Sequence, residues 1–258
     1  MPDTPTPSRD RLKVIACVTA FNEEVTVGGI LDTLLSCESI DQVQIVNDGS
    51  TDRTREEAEA RAEVKVINIP ERVPVGEAIM HHLDDLEEEC ILLWCDADLV
   101  DLKAEYMDEL VRRFREEGVS MSMSSRGLPR SWPSKIRWPI FKQLWAWAFG
   151  PISGERAILR SDFLEAIELS RRLGWPEMMR GYGIVLFLDY HAKRFGTGCV
   201  ISYFDQLRQR QKYEKWGKVS VFEMWGQWLQ FYWAWLKIRV NAGRIRKIRQ
   251  QLLSDDSL

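Results

Sequence analysis

Two carboxylates one residue apart, Asp96 and Asp98, follow the apolar run Ile91–Cys95. At a strand end this spacing lets both turn toward one hard divalent cation. Such an ion takes oxygen ligands and fills the rest of its shell with water and substrate phosphates. It then offsets the charge on a departing diphosphate. Two more clusters follow apolar runs in the same way. Thr19-Ala20-Phe21-Asn22-Glu23-Glu24 comes after Leu12–Val18, and Asn47-Asp48-Gly49-Ser50-Thr51-Asp52 comes after Val43–Val46. Either alone is also an ordinary turn or helix start. Together with Asp96-Ala97-Asp98 they point to a site.

The elements that must position them alternate. Strands are expected over Leu12–Val18, Val43–Val46, Val64–Ile69, Ile91–Cys95 and Val119–Ser124. Helices are expected between them: Glu24 to Cys37 capped by Asn22, Arg53–Ala62 capped by Thr51 or Asp52, Gly76–Glu89 and Ala104–Glu117. Strand and helix in strict turn predict an α/β fold, a mainly parallel sheet with helices on both faces. Ligands then sit at the carboxyl ends of the strands. The second half is less regular, with helices over Ser134–Phe149, Ser161–Leu173 and Gly183–Phe195 and a strand over Cys199–Tyr203. A long helix from Val219 to about Gln250 is expected to break near Gly243.

At 45% hydrophobic and 29% charged, the composition excludes a wholly disordered chain. Its 258 residues can bury a core that needs no disulfide or structural metal. Five cysteines, an odd number with no CxxC pair, suit buried thiols in a reducing, cytoplasmic compartment. The polar start, through Lys13, has no signal-peptide core. Charge is uneven: residues 1–128 hold 13 Lys and Arg against 28 Asp and Glu, and residues 129–258 hold 22 against 11. The basic half suits phosphates or lipid headgroups. No nucleic-acid module accompanies it, so nucleic acid is not an expected partner. His81, His82 and His191 lack metal spacing and read as surface or packing residues.

The ordered set Ala20-Phe21-Asn22-Glu23-Glu24, Val46-Asn47-Asp48-Gly49-Ser50-Thr51-Asp52, Gly76-Glu77-Ala78 and Asp96-Ala97-Asp98 resembles family 2 glycosyltransferases with the GT-A fold. Ser153-Gly154-Glu155-Arg156 and Gly181-Tyr182-Gly183 extend the likeness to about residue 205. The nearest patterns are polyprenyl-phosphate sugar transferases and glucosyl-3-phosphoglycerate synthases.

The resemblance implies a nucleotide-diphospho-sugar donor, UDP- or GDP-linked, and Mg²⁺ or Mn²⁺. It implies that Ala20, Phe21, Asn22 and Glu23 hold the nucleoside and that Asp48 and Gly49 meet the base. By the same likeness Gly76 lies in the donor site, Asp96 and Ala97 lie near the ribose or sugar, and Asp96 and Asp98 hold the metal. Gly154, Glu155 and Arg156 would frame the sugar and acceptor. The chain departs from the pattern at Val75, where relatives have Lys, and at Val185, where relatives have Glu. It departs again at Leu207-Arg208-Gln209-Arg210-Gln211, where some relatives have a metal-binding His. Arg208 and Arg210 are candidates to clamp the diphosphate, since guanidinium pairs well with phosphate oxygens. Glu155 and Asp189 are the candidate bases if the acceptor is a hydroxyl.

The expected organisation is a tail over 1–10, a GT-A catalytic domain over 11–205, and a basic loop with a C-terminal helix over 206–258. Within the catalytic domain, 11–128 would bind the donor and 129–205 would face the acceptor. All but one of the 11 tryptophans fall after Ser131, interleaved with Lys and Arg. Such helices suit a membrane interface, or else packing onto the sheet or a homodimer contact. The leading acceptor is a polyprenyl phosphate or another membrane-linked group at the inner membrane face. A phosphate is already nucleophilic, which fits the missing Glu at Val185. The alternatives are transfer to a small phosphorylated acid and a non-catalytic, membrane-associated sugar-nucleotide-binding protein.

Overall fold

The first strand, β1 (Val14–Ala20), is buried almost throughout, as a central strand covered on both faces must be. The structure, a computed structural model, describes residues 9–125, 154–204, 206–210 and 221–254, without the side chains of 221–225, 227 and 228. The expected helix over Ser134–Phe149 with its tryptophans, and also Ser153 and Trp216, lie outside the described residues. So do the side chains of Phe222, Trp225 and Trp228.

After β1 come α1 (Val27–Leu35), β2 (Gln42–Asp48), α2 (Thr54–Glu59), β3 (Val64–Ile69), α3 (Val75–Met80) and a 3₁₀ turn at His81–Leu83. Then follow β4 (Ile91–Asp96), β5 (Leu99–Val100), α4 (Ala104–Glu116) and β6 (Met121–Ser125). The second half supplies β7 (Arg156–Leu159), α5 (Arg160–Arg172), α6 (Pro176–Arg180), α7 (Gly183–Arg194), β8 (Cys199–Tyr203), β9 (Arg208–Gln209), α8 (Val221–Val240) and α9 (Ala242–Ser254).

The main sheet runs β3-β2-β1-β4-β7-β6-β8. Neighbours are parallel except where β7 runs against β4 and β6. Side chains that alternate along the strands feed two cores. Val14, Ala16 and Val18 face one with α1 and α4, while Ile15, Cys17 and Trp94 face the other with α5, α7 and α8. This is the expected α/β architecture with helices on both faces.

Several local expectations change. Asn22 does not cap α1, whose N-cap is Thr26 without a side-chain bond. Asn22 instead adopts φ 55°, the left-handed region that Asn tolerates. The acidic helix caps on Arg53, although the Asp52 carboxylate still accepts from the Thr54 N–H (3.0 Å). The helix expected over Gly76–Glu89 stops at Met80. The long C-terminal helix breaks at Asn241, two residues before Gly243. No described helix is long and apolar enough to cross a membrane. All five cysteines are free thiols, and burial pushes Cys17 up to about 12.

The C-terminal helices are partly core. Ala234 and Ile238 of α8 and Ile245 of α9 are buried among residues of α5 and α7. A charged contact reinforces this docking. Glu165 of α5 meets both His191 Nε2 (3.2 Å) and Arg249 Nε (2.5 Å). Burial pushes Glu165 up, but the hydrogen bonds and charges of His191 and Arg249 outweigh it and hold the carboxyl at about 2. A carboxyl depressed by folding stabilises the folded state at pH above its ordinary value of 4.5, and that contribution fades as pH falls toward 2. Glu165→Gln should therefore flatten the acid limb of a plot of denaturation midpoint against pH between those values. An unchanged limb would show that this contact does not hold α9.

Candidate functional site

Strand register sets the site. Ala20 of β1 lies opposite Asn47 of β2, and Thr19 lies opposite Asp96 of β4. The three polar clusters therefore leave the sheet at nearly one height on one edge. Hydrogen bonds then tie them together. The Asn22 N–H donates to Ser50 Oγ (3.0 Å), and the Thr51 N–H donates to Asn22 Oδ1 (2.8 Å). The Glu23 N–H donates to Thr54 Oγ1 (2.7 Å). The Thr26 hydroxyl donates to the Ala97 carbonyl (2.8 Å), linking the first cluster to the third.

Asp48 ends β2 almost fully buried and accepts the Val73 N–H (2.8 Å). Burial raises its pKa, against the Val73 bond and the charge of nearby Arg72. The Arg72 guanidinium lies over the Phe21 ring at 4.1 Å, so one loop roofs the other. Gly49 permits this closeness. It has φ +66°, and a Cβ there would stand 2.6 Å from the Arg72 nitrogen. Gly76, at the start of α3, meets protein: a Cβ would lie 1.9 Å from the Met179 carbonyl of α6. Beneath the site, burial pushes the His82 imidazole down to about 3, so it is a neutral packing residue.

Asp96 lies against Gly154, where a Cβ would stand 2.1 Å from its carboxylate. Gly154 is thus a cradle that only a glycine leaves open. Burial and the Asp96 charge raise the Tyr182 hydroxyl, with a smaller contribution from Asp98, so Tyr182 belongs to this edge. Asp98 accepts Gln209 Nε2 through both oxygens (2.7 and 2.9 Å), and its carbonyl accepts the Arg210 N–H (2.8 Å). The pairing of β5 with β9 fixes this geometry, with Leu99 opposite Gln209. Arg208 pairs with Asp101 Oδ2 (2.6 Å). Among the described residues no group of three His, Cys, Asp or Glu side chains could hold a metal. Two carboxylates at a glycine-lined edge nevertheless fit a cation that draws its other ligands from water and substrate phosphate.

Three residues of the second half lie deeper than the strand-end edge. Glu155 is fully buried and accepts the Ser124 hydroxyl (2.5 Å). Arg156 of β7 is buried and pairs with Asp189 of α7 (3.2 Å). Burial raises the Asp189 carboxyl, against the Arg156 charge. Its second oxygen is buried without a hydrogen-bond partner among the described residues. As placed, Asp189 is the counter-ion of Arg156, and neither Glu155 nor Asp189 presents a carboxylate to solvent. Thr26, Arg72, Tyr182 and Gln209 join the site only in the structure. Of these, Tyr182 lies within Gly181-Tyr182-Gly183 and Gln209 within the run Leu207–Gln211, where some relatives have a metal-binding His, and only these two carry a sequence signal.

Among solved structures, glucosyl-3-phosphoglycerate synthase from Mycobacterium tuberculosis shares the fold in several complexes. With Mn²⁺, UDP and glucosyl-3-phosphoglycerate it aligns at TM-score 0.66 and 21% identity, over 89% of this chain and 81% of that chain. With Mn²⁺, UDP-glucose and phosphoglyceric acid the values are 0.67 and 20%, over 89% and 80%. With Mg²⁺ and UDP they are 0.66 and 21%, over 89% and 80%. At such identities the likeness is one of fold. A comparison with curated proteins gives no match. The profile described as Glycosyl transferase family 2 matches residues 15–166, which is more than half of the chain and includes all three clusters and Gly154-Glu155-Arg156. The chain therefore belongs to glycosyl transferase family 2, built on the GT-A fold.

Proposed function

We propose that the protein transfers a sugar from a UDP- or GDP-linked donor to a lipid-linked phosphate acceptor, with Mg²⁺ or Mn²⁺. The observation that carries this reading is the single edge on which Asp48, Asp96 and Asp98 gather, tied by the Thr26–Ala97 bond and cradled by Gly154. The synthase complexes with UDP, UDP-glucose, Mn²⁺ and Mg²⁺ support it.

In this reading Ala20, Phe21, Asn22 and Glu23 hold the nucleoside, and Asp48 accepts a hydrogen bond from the base. Gly49 lets the Arg72 backbone close over β2 beside it, and Gly76 seats α3 against α6 at the donor site. Asp96 and Ala97 border the ribose. Asp96 and Asp98 hold the cation, which supplies charge neutralisation on the departing diphosphate. Arg210, beside Asp98, and Arg208, once released from Asp101, would meet the diphosphate. Gly154, Glu155 and Arg156 support the sugar from below. Residues 11–128 then form the donor half, 129–205 the acceptor side, and 206–258 an appended segment.

The burial of Glu155 and Asp189 supports a phosphate acceptor. A hydroxyl acceptor attacked by an inverting route needs a base within hydrogen-bond reach. A phosphate oxygen is already anionic and does not. Exposed Arg244, Arg246 and Lys247 on α9 suit an anionic membrane, where each cation near the surface is worth about 1 kcal/mol. A second reading, transfer to a small phosphorylated acid, draws support from the synthase complex with phosphoglyceric acid. Release of UDP or GDP from sugar nucleotides, measured with each acceptor class in turn, tests the two readings.

UDP should bind to the wild type more tightly with Mn²⁺ than without, and Asp98→Ala should abolish the difference in calorimetry. Equal affinities across all four titrations would sink the metal assignment. Gly154→Ala should also weaken the Mn²⁺-dependent increment while leaving the fold intact, because its Cβ displaces Asp96. Wild-type behaviour in that variant would place the cation elsewhere. Asp48→Ala removes the partner of the Val73 N–H and the proposed base contact. An unmet buried group costs about 1–3 kcal/mol, so nucleotide affinity should fall roughly tenfold. Undiminished binding would move the nucleoside off β2.

A further inference from the structure

An apolar groove of about 910 Å³ runs between α8 and the α6–α7 turn, lined by Leu229, Trp233, Ala234 and Val240 on one side and by Arg180 and Gly181 on the other. Helix α8 buries Ala234 and Ile238 in the core, yet leaves Leu229 52%, Trp233 62% and Val240 74% exposed. Its apolar surface thus exceeds what the core uses. One end of the groove is not isolated. Gly181 precedes Tyr182, whose hydroxyl feels Asp96 and Asp98, and Pro74, also in the lining, follows the Val73 that holds Asp48. The groove thus borders the segments that carry Val73 and Tyr182. At that end stands Arg180, a half-exposed cation whose present partner is the surface carboxylate of Glu77. Surface pairs of this kind are weak and exchange readily for a phosphate.

A guanidinium at one end, held now by Glu77, and an apolar run leading away from it match a molecule with a phosphate head and a hydrocarbon tail. We infer that this groove seats the acceptor's hydrocarbon chain, with Arg180 beside its phosphate and Trp233 and Val240 along its tail. This rests on the lipid-phosphate reading above and names the surface that would carry it. A small phosphorylated acid needs the Arg180 end and has no use for the remainder.

The test uses the full chain and farnesyl phosphate below its micelle concentration, titrated calorimetrically without nucleotide. Inorganic phosphate and 3-phosphoglycerate serve as tail-free probes. Trp233→Asp and Val240→Asp change exposed side chains, and thermal unfolding checks that both variants stay folded. The wild type should bind farnesyl phosphate at least tenfold more tightly than either tail-free probe, and each variant should lose at least tenfold. UDP with Mn²⁺ should bind all three chains equally. Farnesyl phosphate binding that survives both substitutions overturns the assignment, as does 3-phosphoglycerate binding as tight as that of farnesyl phosphate. A wild-type dimer split by Trp233→Asp, with farnesyl phosphate binding unchanged, would give the face to a second copy. Anionic-vesicle binding lost in Trp233→Asp, again with farnesyl phosphate unchanged, would give it to the bilayer. Either result overturns the assignment. Failure of UDP to bind the wild type would overturn the donor reading alone, because the farnesyl arm contains no nucleotide.

Discussion

The site depends on the register of three parallel strands. With β1 between β2 and β4, Ala20 stands opposite Asn47 and Thr19 opposite Asp96. A slip of one residue would turn every side chain of a strand to the other face. Burial forbids that slip, because both faces of β1 pack against helices and the two faces feed different cores. The hydrophobic pattern that builds the sheet is therefore also what brings three polar loops to one height. Chemistry at the edge is inherited from packing in the middle.

Once at that height, the loops are held by polar ties, and glycine sets how closely they approach. Thr26 joins the first loop to the third, and Asn22 joins the first to the second. Gly49 and Gly154 let Arg72 and Asp96 come closer than any Cβ would allow. Beneath this layer lies the buried pair Arg156–Asp189. Removing one partner of such a pair costs about 3–5 kcal/mol, because the other charge is left uncompensated. That cost ties β7 to α7, and with it the floor under Gly154 to the helix that follows Tyr182.

Much of the first half was legible because its signals are local and repeated. Buried strands read as apolar runs, and β3 and β8 keep their expected bounds of Val64–Ile69 and Cys199–Tyr203. The clusters after β1, β2 and β4 stand directly at the strand ends. What failed was whatever depends on a distant partner. β7 is four residues long and antiparallel, and it pairs with strands about 30 and 60 residues earlier in the chain. Asn22 looked like a cap because its type suits one, but tertiary bonds to Ser50 and Thr51 claimed it. Asp189 looked catalytic for its type and place near Gly183. Its pairing with Arg156, 33 residues away in sequence, is visible only in the structure. Arg72 and Thr26 carry no motif and act through position alone.

The C-terminal helices show why composition could not choose between core and surface. A helix that only packs needs one apolar stripe, and a helix that only lies on lipid needs no buried residue at all. α8 is neither of these alone: Ala234 and Ile238 are inside while Leu229, Trp233 and Val240 are outside. Its anchoring comes from α9 as well, through Ile245 in the core and Arg249 on Glu165. A rigidly anchored helix with a second apolar face presents that face at a fixed distance from the donor edge. A loosely attached amphipathic helix would not. Fixed placement is what the acceptor surface proposed above requires, since most of the catalytic gain from proximity disappears when the reacting groups are free to wander.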